Sequence, residues 1–209
     1  MPERMVLTGR YVTVEPIDAR HSDALFAALC GPGDEALWTY RPAPRPASAA
    51  AFDAEVVRLL AEHAESASYA FVPAGGSASG LATFFPCVPC SGVVEISGVM
   101  FARAMQQTTA ATEAIHLMLR YTFDQLGYRR VEWKCDSLNE PSGRAAVRLG
   151  FTYEGRFRQH IVTKGRNRDT DWYSMLDSEW PEVRARHERW LDPVNFDADG
   201  RQYQRLATL

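Results

Sequence analysis

The stretch from Val93 to Asp136 constrains the fold more than any other part of this chain, because it reads as strand, helix, strand. Val93 to Phe101 is a strand-like run. Ala111, Ala114, Ile115, Met118, Leu119, Thr122, Phe123 and Leu126 then fall on one stripe at helical spacing, which predicts a helix from about Thr109 to Leu126 with Gly127 as its stop. Val131-Glu-Trp-Lys-Cys-Asp136 alternates with period two and places Val131, Trp133 and Cys135 on one strand face. The spacing is that of a βαβ unit. Its first strand passes into the helix through the small residues of Gln106-Gln-Thr-Thr-Ala-Ala-Thr-Glu-Ala114. The unpaired N–H groups and the dipole at such a helix start favour a bound anion, most often a phosphate. A second helix start follows at Asn139-Glu-Pro-Ser142, and that helix ends at Leu149-Gly150-Phe151.

The flanking sequence fits around this unit. Tyr11–Glu15 alternates as a first strand closed by Pro16. Ser22 or Asp23 can cap a short helix through Leu29, which Gly31-Pro-Gly33 breaks. Trp38 and Tyr40 stand in a loop kept extended by Pro42, Pro44 and Pro46. Ser48 then caps a second helix with Phe52, Val56, Leu59 and Leu60 on its apolar side. Ser68–Pro73, Leu81–Phe85 and Val93–Phe101 form an antiparallel meander, and Phe151–Phe157 and Asp171–Leu176 are the last strands. Pro181 begins a final helix ending near Leu191, which predicts one domain over 1–191 and a polar tail or arm over 192–209. Strands and helices in this order predict a mixed α/β layer fold.

Composition narrows the class. The 209 residues suffice for one domain with a full core, and 46% apolar with 23% charged residues is ordinary for a globular protein. A net charge of −3 gives no general attraction to nucleic acid or anionic membrane. With no apolar run long enough to span a bilayer, the expectation is a cytoplasmic protein without membrane or nucleic-acid partners. Cys87-Val-Pro-Cys90 has the spacing of a redox pair or half a zinc site. Pro86, Pro89 and Gly92 around it, and strands on either side, favour a hairpin turn, and no metal is expected.

The two helix starts resemble the Gcn5-related N-acetyltransferases. That family's phosphate loop reads Gln or Arg, two residues, Gly, one residue, then Gly or Ala, and Gln106, Thr109 and Ala111 fill the three marked places. Its second signature, Asn-x-x-Ser followed by Leu-Gly-Phe, is matched by Asn139, Ser142 and Leu149-Gly150-Phe151. Leu7-x-Gly-Arg10, Ala111-Thr-Glu-Ala114 and Asp169-Thr-Asp-Trp-Tyr-Ser174 look most like the RimJ/RimL branch, which acetylates ribosomal-protein N-termini. Thr109 departs from the pattern, since a Cβ there restricts φ and crowds a pyrophosphate; its hydroxyl can instead cap the helix or donate to phosphate. The resemblance implies a central, mostly antiparallel sheet with helices on both faces. It also implies acetyl-CoA as co-substrate, an amine acceptor such as a protein N-terminus, and compatibility with a homodimer.

Carried over residue by residue, the resemblance puts the pyrophosphate on the N–H groups of Gln107, Thr108, Thr109, Ala110, Ala111 and Thr112, with Gln106 opening the loop. The pantetheine arm would pair like an added strand near Val99, Met100 and Phe101. Asn139 is an N-cap that can also bond this arm, and the serine matching Ser142 is placed to protonate the departing thiolate; a solvated helix residue is the alternative. Glu95, on the strand bordering the cleft, is the best candidate for a base acting through water, against a plain surface glutamate. His160 is the rival base. His116 falls on the polar side of the central helix, and Arg144 faces solvent or reaches a phosphate. Trp38 and Tyr40 shape the acceptor pocket or form a lid over the core. Arg156, Arg158, Lys164, Arg166 and Arg168 make a basic hairpin, solvated or open to an acidic protein or RNA surface.

The expected chemistry is direct acetyl transfer in a ternary complex, since no cysteine or serine sits in a nucleophile-base constellation. Two rivals stand beside it: a catalytically idle acyl-CoA-binding or regulatory module, and a redox or metal module built on Cys87 and Cys90.

Overall fold

A computed structural model describes residues 2–206. Its sheet has eight strands in the order β1-β2-β3-β4-β5-β6-β8-β7: β1 Leu7–Thr8, β2 Val12–Pro16, β3 Ala67–Pro73, β4 Gly80–Val88, β5 Val93–Phe101, β6 Arg130–Asp136, β7 Thr152–Thr163 and β8 Arg166–Leu176. The helices are α1 Ser22–Leu29, α2 Ala49–Phe52, α3 Arg58–Glu62, α4 Thr109–Arg120, α5 Glu140–Arg148 and α6 Trp180–Leu191. This is the mixed α/β fold expected, with helices on both faces. α1 and α3 lie on β4 and β3, while α4 crosses β1 and β2 beneath α6 and α5 lies on β6 and β7.

Every strand pairing is antiparallel except one. β5 and β6, the strands of the βαβ unit, pair in parallel only from Val93↔Arg130 to Glu95↔Glu132. Beyond that point β5 follows β4, through Ser97↔Thr83 and Phe101↔Gly80, while β6 follows β8, through Lys134↔Trp172 and Asp136↔Thr170. The sheet therefore opens into a wedge at its centre.

The core is built as the period of the sequence requires. α4 is buried along nearly its whole length, with Ala114, Ile115, Met118 and Leu119 fully enclosed. Its buried Glu113 carboxylate accepts the N–H groups of Arg10, Tyr11 and Val12 at 2.9, 2.6 and 3.0 Å, so one side chain satisfies the whole β1–β2 turn. Glycine is required at position 9, because a Cβ there would lie 2.3 Å from that carboxylate. After α6 the chain turns through Pro193–Asn195, and buried Leu206 joins Trp190 and Leu191 in a small cluster.

Several local expectations are corrected. The cap before α1 is Asp18, which accepts from Arg20 N and leads through a short turn at Ala19–His21, so neither Ser22 nor Asp23 caps that helix. Leu59 is exposed, since a wider turn at Asp53–Val57 rotates the helix beyond it. α4 ends at Arg120 and continues to Leu126 only through a widened turn at Tyr121–Gln125. The last two strands are much longer than the apolar runs, because their ladder continues through charged, exposed residues. His116 is not solvated: α6 covers that side of α4 and stacks Trp180 and His187 against the ring at 5.8 and 5.5 Å.

Candidate active site

The wedge between β5 and β6 collects most of the residues singled out above. Side chains alternate along a strand, so it has two chemically different walls. Glu95, Ser97, Glu132, Lys134 and Trp172 project from one sheet face, and Trp133, Cys135 and Tyr173 from the other.

On the first face Glu95 is buried and Lys134 Nζ lies 2.9 Å from its carboxylate. The same ammonium is 3.1 Å from Glu132 and 3.8 Å from the centre of the Trp172 ring. Burial pushes the Glu95 carboxyl above its usual range, and the Lys134 charge and hydrogen bond only partly oppose this. Glu95 is thus a more basic carboxylate than a solvated one, held in place by a cation. Lys134 and Trp172 were missed in the sequence, where only the strand period was visible; their meeting with Glu95 depends on the β5–β6–β8 register.

On the opposite face the first turn of α5 points into the wedge. Asn139 caps it, its side chain accepting Ser142 N at 3.4 Å. Ser142 Oγ accepts the Trp133 indole N–H at 3.0 Å. That bond occupies one lone pair of the hydroxyl and leaves its proton to be donated. Cys135 itself is buried and its thiol pushed up by burial, which makes it a poor nucleophile. Trp133 was visible in the sequence only as one residue of a strand face, and its bond to Ser142 comes from the fold. Tyr173 also approaches this turn, its hydroxyl 2.7 Å from where a Cβ on Gly143 would stand.

The helix start that the sequence marks for an anion is that of α4. Thr108, not Thr109, is its cap: its side chain accepts Ala111 N at 3.2 Å and its carbonyl accepts Thr112 N at 3.3 Å. Those two N–H groups are therefore engaged within the protein, and the donors left by the helix geometry lie earlier, around Gln107, Thr109 and Ala110. Gln107 adopts φ 61°, which bends the backbone into the turn. Gln106 ties the loop back to β5 through Nε2–H to Phe101 O at 3.1 Å. Met100 is buried in the core and Phe101 stacks on Phe71 at 5.5 Å, so Val99 to Phe101 offer a ligand chiefly their backbone.

A loop straps the wedge from outside. Lys164, at the β7–β8 tip, donates to Trp38 O at 2.8 Å, Tyr40 Oη donates to Leu138 O at 2.7 Å, and Arg41 donates to Gly98 O at 2.9 Å. Gly98, at φ +61°, re-aims β5 so that its carbonyl meets Arg41. Tyr40 thus borders the wedge. Trp38 does not line a pocket: it is buried against Phe52, with its indole N–H bonded to Leu29 O at 2.8 Å, the core-lid alternative. His160 is exposed on β7, with Nδ1 3.0 Å from Thr170 Oγ1 and its ring 5.4 Å from Phe157 and 6.2 Å from Trp172. Arg144 pairs with Glu140 at 2.9 Å on the solvent side of α5. Arg156 pairs with Asp171 and Arg166 with Asp136, so much of the basic hairpin is neutralised within the sheet. Cys87 precedes the Pro89–Ser91 turn and Cys90 lies within it, with Cys87 Sγ 3.3 Å from Tyr128 Oη, which is the hairpin-turn arrangement.

Comparison with known proteins agrees with this geometry. The family described as Acetyltransferase (GNAT) domain matches residues 12–152. A GCN5-related N-acetyltransferase from Brucella melitensis superposes with a TM-score of 0.95 at 42% identity, over 98% of this chain and 93% of that one. The RimL ribosomal L7/L12 alpha-N-protein acetyltransferase superposes at 0.70 over 82% of this chain and 94% of that one, but at 19% identity, a likeness of fold alone. The prophage-derived N-acetyltransferase YokL of Bacillus subtilis is 39% identical over 34% of this chain and 40% of its own length, so the match spans under half of that relative. Among the described residues no helix is long and apolar enough to cross a membrane. The wedge, the helix start beside it and these matches together make the chain a member of the GNAT family of N-acetyltransferases.

Proposed function

We propose that this protein transfers the acetyl group of acetyl-CoA directly to a primary amine held in the β5–β6 wedge. The observation that carries the reading is the placement of a buried carboxylate, Glu95, and an oriented hydroxyl, Ser142, on opposite faces of one opening. Acetyl-CoA supplies an activated thioester, so little is asked of the protein beyond positioning and proton movement. Glu95 takes a proton from the acceptor ammonium, directly or through water. The amine nitrogen bonds to the acetyl carbon as the carbon–sulfur bond breaks, Ser142 gives its proton to the leaving sulfur, and the second proton shed by the nitrogen restores the serine through solvent. The donors around Gln107, Thr109 and Ala110 suit a pyrophosphate, and the Asn139 amide has donors left for the pantetheine arm.

We read residues 1–191 as the catalytic domain and place it in the RimJ/RimL-like branch. Two motifs of that branch meet here as one device, Glu113 of the Ala111–Ala114 tetrad holding the turn at Gly9–Arg10. The acceptor is then a protein N-terminus or a small amine. A second reading, an idle acyl-CoA-binding module, is favoured by the Lys134 ion pair on Glu95 and by the Cβ of Thr109. Incubation with acetyl-CoA and an amine panel separates the two. Thiol release matched by acetylated amine supports the transferase, while tight binding with no turnover supports the module.

A further inference from the structure

The acceptor end of the wedge holds cations and donors that acetyl transfer does not use. On β8, Thr170 is the last residue paired with β6, and Arg168 continues beyond it on the face that carries Trp172. The Arg168 Nε and Trp172 Nε1 atoms are both buried and without a hydrogen-bond partner among the described residues. Both groups are obligate donors, and an arginine stays charged. On the same hairpin Arg156 and Arg166 each have a carboxylate partner, whereas the Arg168 guanidinium makes no ion pair among the described residues. It lies beyond the Asp136↔Thr170 pair, at the end of β6 where the wedge is open, and its charge acts on Glu95. Lys134 adds a second cation beside Trp172, at 3.8 Å from that ring. A guanidinium Nε and an indole N–H buried without acceptors are costly unless a ligand completes them.

Resting on the transferase reading, we propose that the acceptor is a small amine that carries a carboxylate, with its nitrogen toward Glu95 and its carboxylate on Arg168 and the Trp172 N–H. A guanidinium presents a planar fork that matches a carboxylate with two parallel hydrogen bonds, which a neutral amide or ester cannot answer in kind. Phe157 against Trp172 at 4.8 Å provides an apolar wall for the short carbon chain between the two groups.

The test compares glycine, β-alanine and aspartate with their own amides and methyl esters, in thiol-release kinetics and in calorimetric binding to the protein with desulfo-CoA present. The acids are expected to exceed their neutral partners in kcat/KM by about tenfold or more, the worth of one charge-assisted hydrogen bond. In Arg168→Gln that ratio is expected to fall toward one through KM, while Arg168→Lys, which keeps the charge without the fork, retains part of it. Parent-like melting of each variant without ligand shows that the fold is intact. A parent that binds desulfo-CoA yet treats acids and amides alike, or an Arg168→Gln protein that keeps the full preference, overturns the proposal. A parent that does not bind desulfo-CoA removes the transferase reading instead, and calorimetry with the acids alone still decides whether Arg168 holds a carboxylate.

Discussion

Ser142 accepts the Trp133 indole N–H at 3.0 Å, which leaves its hydroxyl proton to be donated. Removing it takes away a placed proton donor but little binding energy. Ser142→Ala is expected to lower kcat by ~10²-fold, the low end for a positioned acid, and to leave the Kd of acetyl-CoA within about tenfold. An unchanged kcat moves the role to Tyr173 or to water. Glu95 makes the complementary case. Its raised carboxyl must be ionised to act as a base, so kcat/KM is expected to rise with pH on a limb above the ordinary carboxylate range. Glu95→Gln should flatten that rise and cost about 10²-fold at neutral pH. An acceptor series of differing amine pKa separates this limb from the acceptor's own titration. The places of Asn139 and Ser142 were legible because each stands at a marked position in a local pattern, and that of Glu95 because its strand was legible. The roles of Trp133, Lys134 and Arg168 were not, because they arise only when strands distant in sequence come into register. For Trp38 the sequence left pocket and core lid both open, since an aromatic in a loop carries no sign of which way the loop folds, and the fold buries it against Phe52.

α4 is held at both sides by buried polar groups, and each has a measurable consequence. Glu113 satisfies three backbone N–H groups of the β1–β2 turn. Glu113→Ala leaves them unpaired and is expected to cost about 3 kcal/mol or more, seen as a clear drop in Tm; a Tm within a degree of the parent would mean that water replaces the carboxylate freely. On the other side, burial lowers the pKa of His116 to about 4, and burial with the neighbouring His116 lowers that of His187 to about 3. Both rings are therefore neutral in the fold, while the unfolded chain takes up protons near pH 6.5. Stability is fully present above pH 6.5 and should fall as the pH drops from there toward 4 and then 3. The slope of Tm against pH in this window should shrink in His116→Gln, and an unaltered slope would show that other groups govern acid unfolding. The pattern of α4 gave its inner stripe correctly from period alone. Its second covered side was invisible, because α6 arrives from the far end of the chain. The reach of the β7–β8 hairpin was hidden for a related reason: charged residues carry a ladder as well as apolar ones do when one face meets solvent.

At the scale of the molecule, the function follows from one interruption in an otherwise continuous sheet. β5 and β6 pair for a single short stretch and then part, β5 toward β4 and β6 toward β8. The βαβ unit that produces this arrangement was readable from the order of its periods, and so was the helix start beside it. The wedge's strap was not, since Lys164, Tyr40 and Arg41 bond carbonyls on three different elements. The most direct measurement is calorimetric titration of desulfo-CoA into the parent and into Thr109→Asp. The parent should bind one equivalent, and its Tm should rise with ligand concentration, because a ligand bound only to the folded state stabilises it by mass action. In Thr109→Asp, whose carboxylate would face the pyrophosphate at the start of α4, binding should be lost. No heat and no Tm shift with the parent at millimolar ligand, or unchanged affinity in the variant, would contradict the placement of the cofactor on this helix and with it the transferase reading of the wedge.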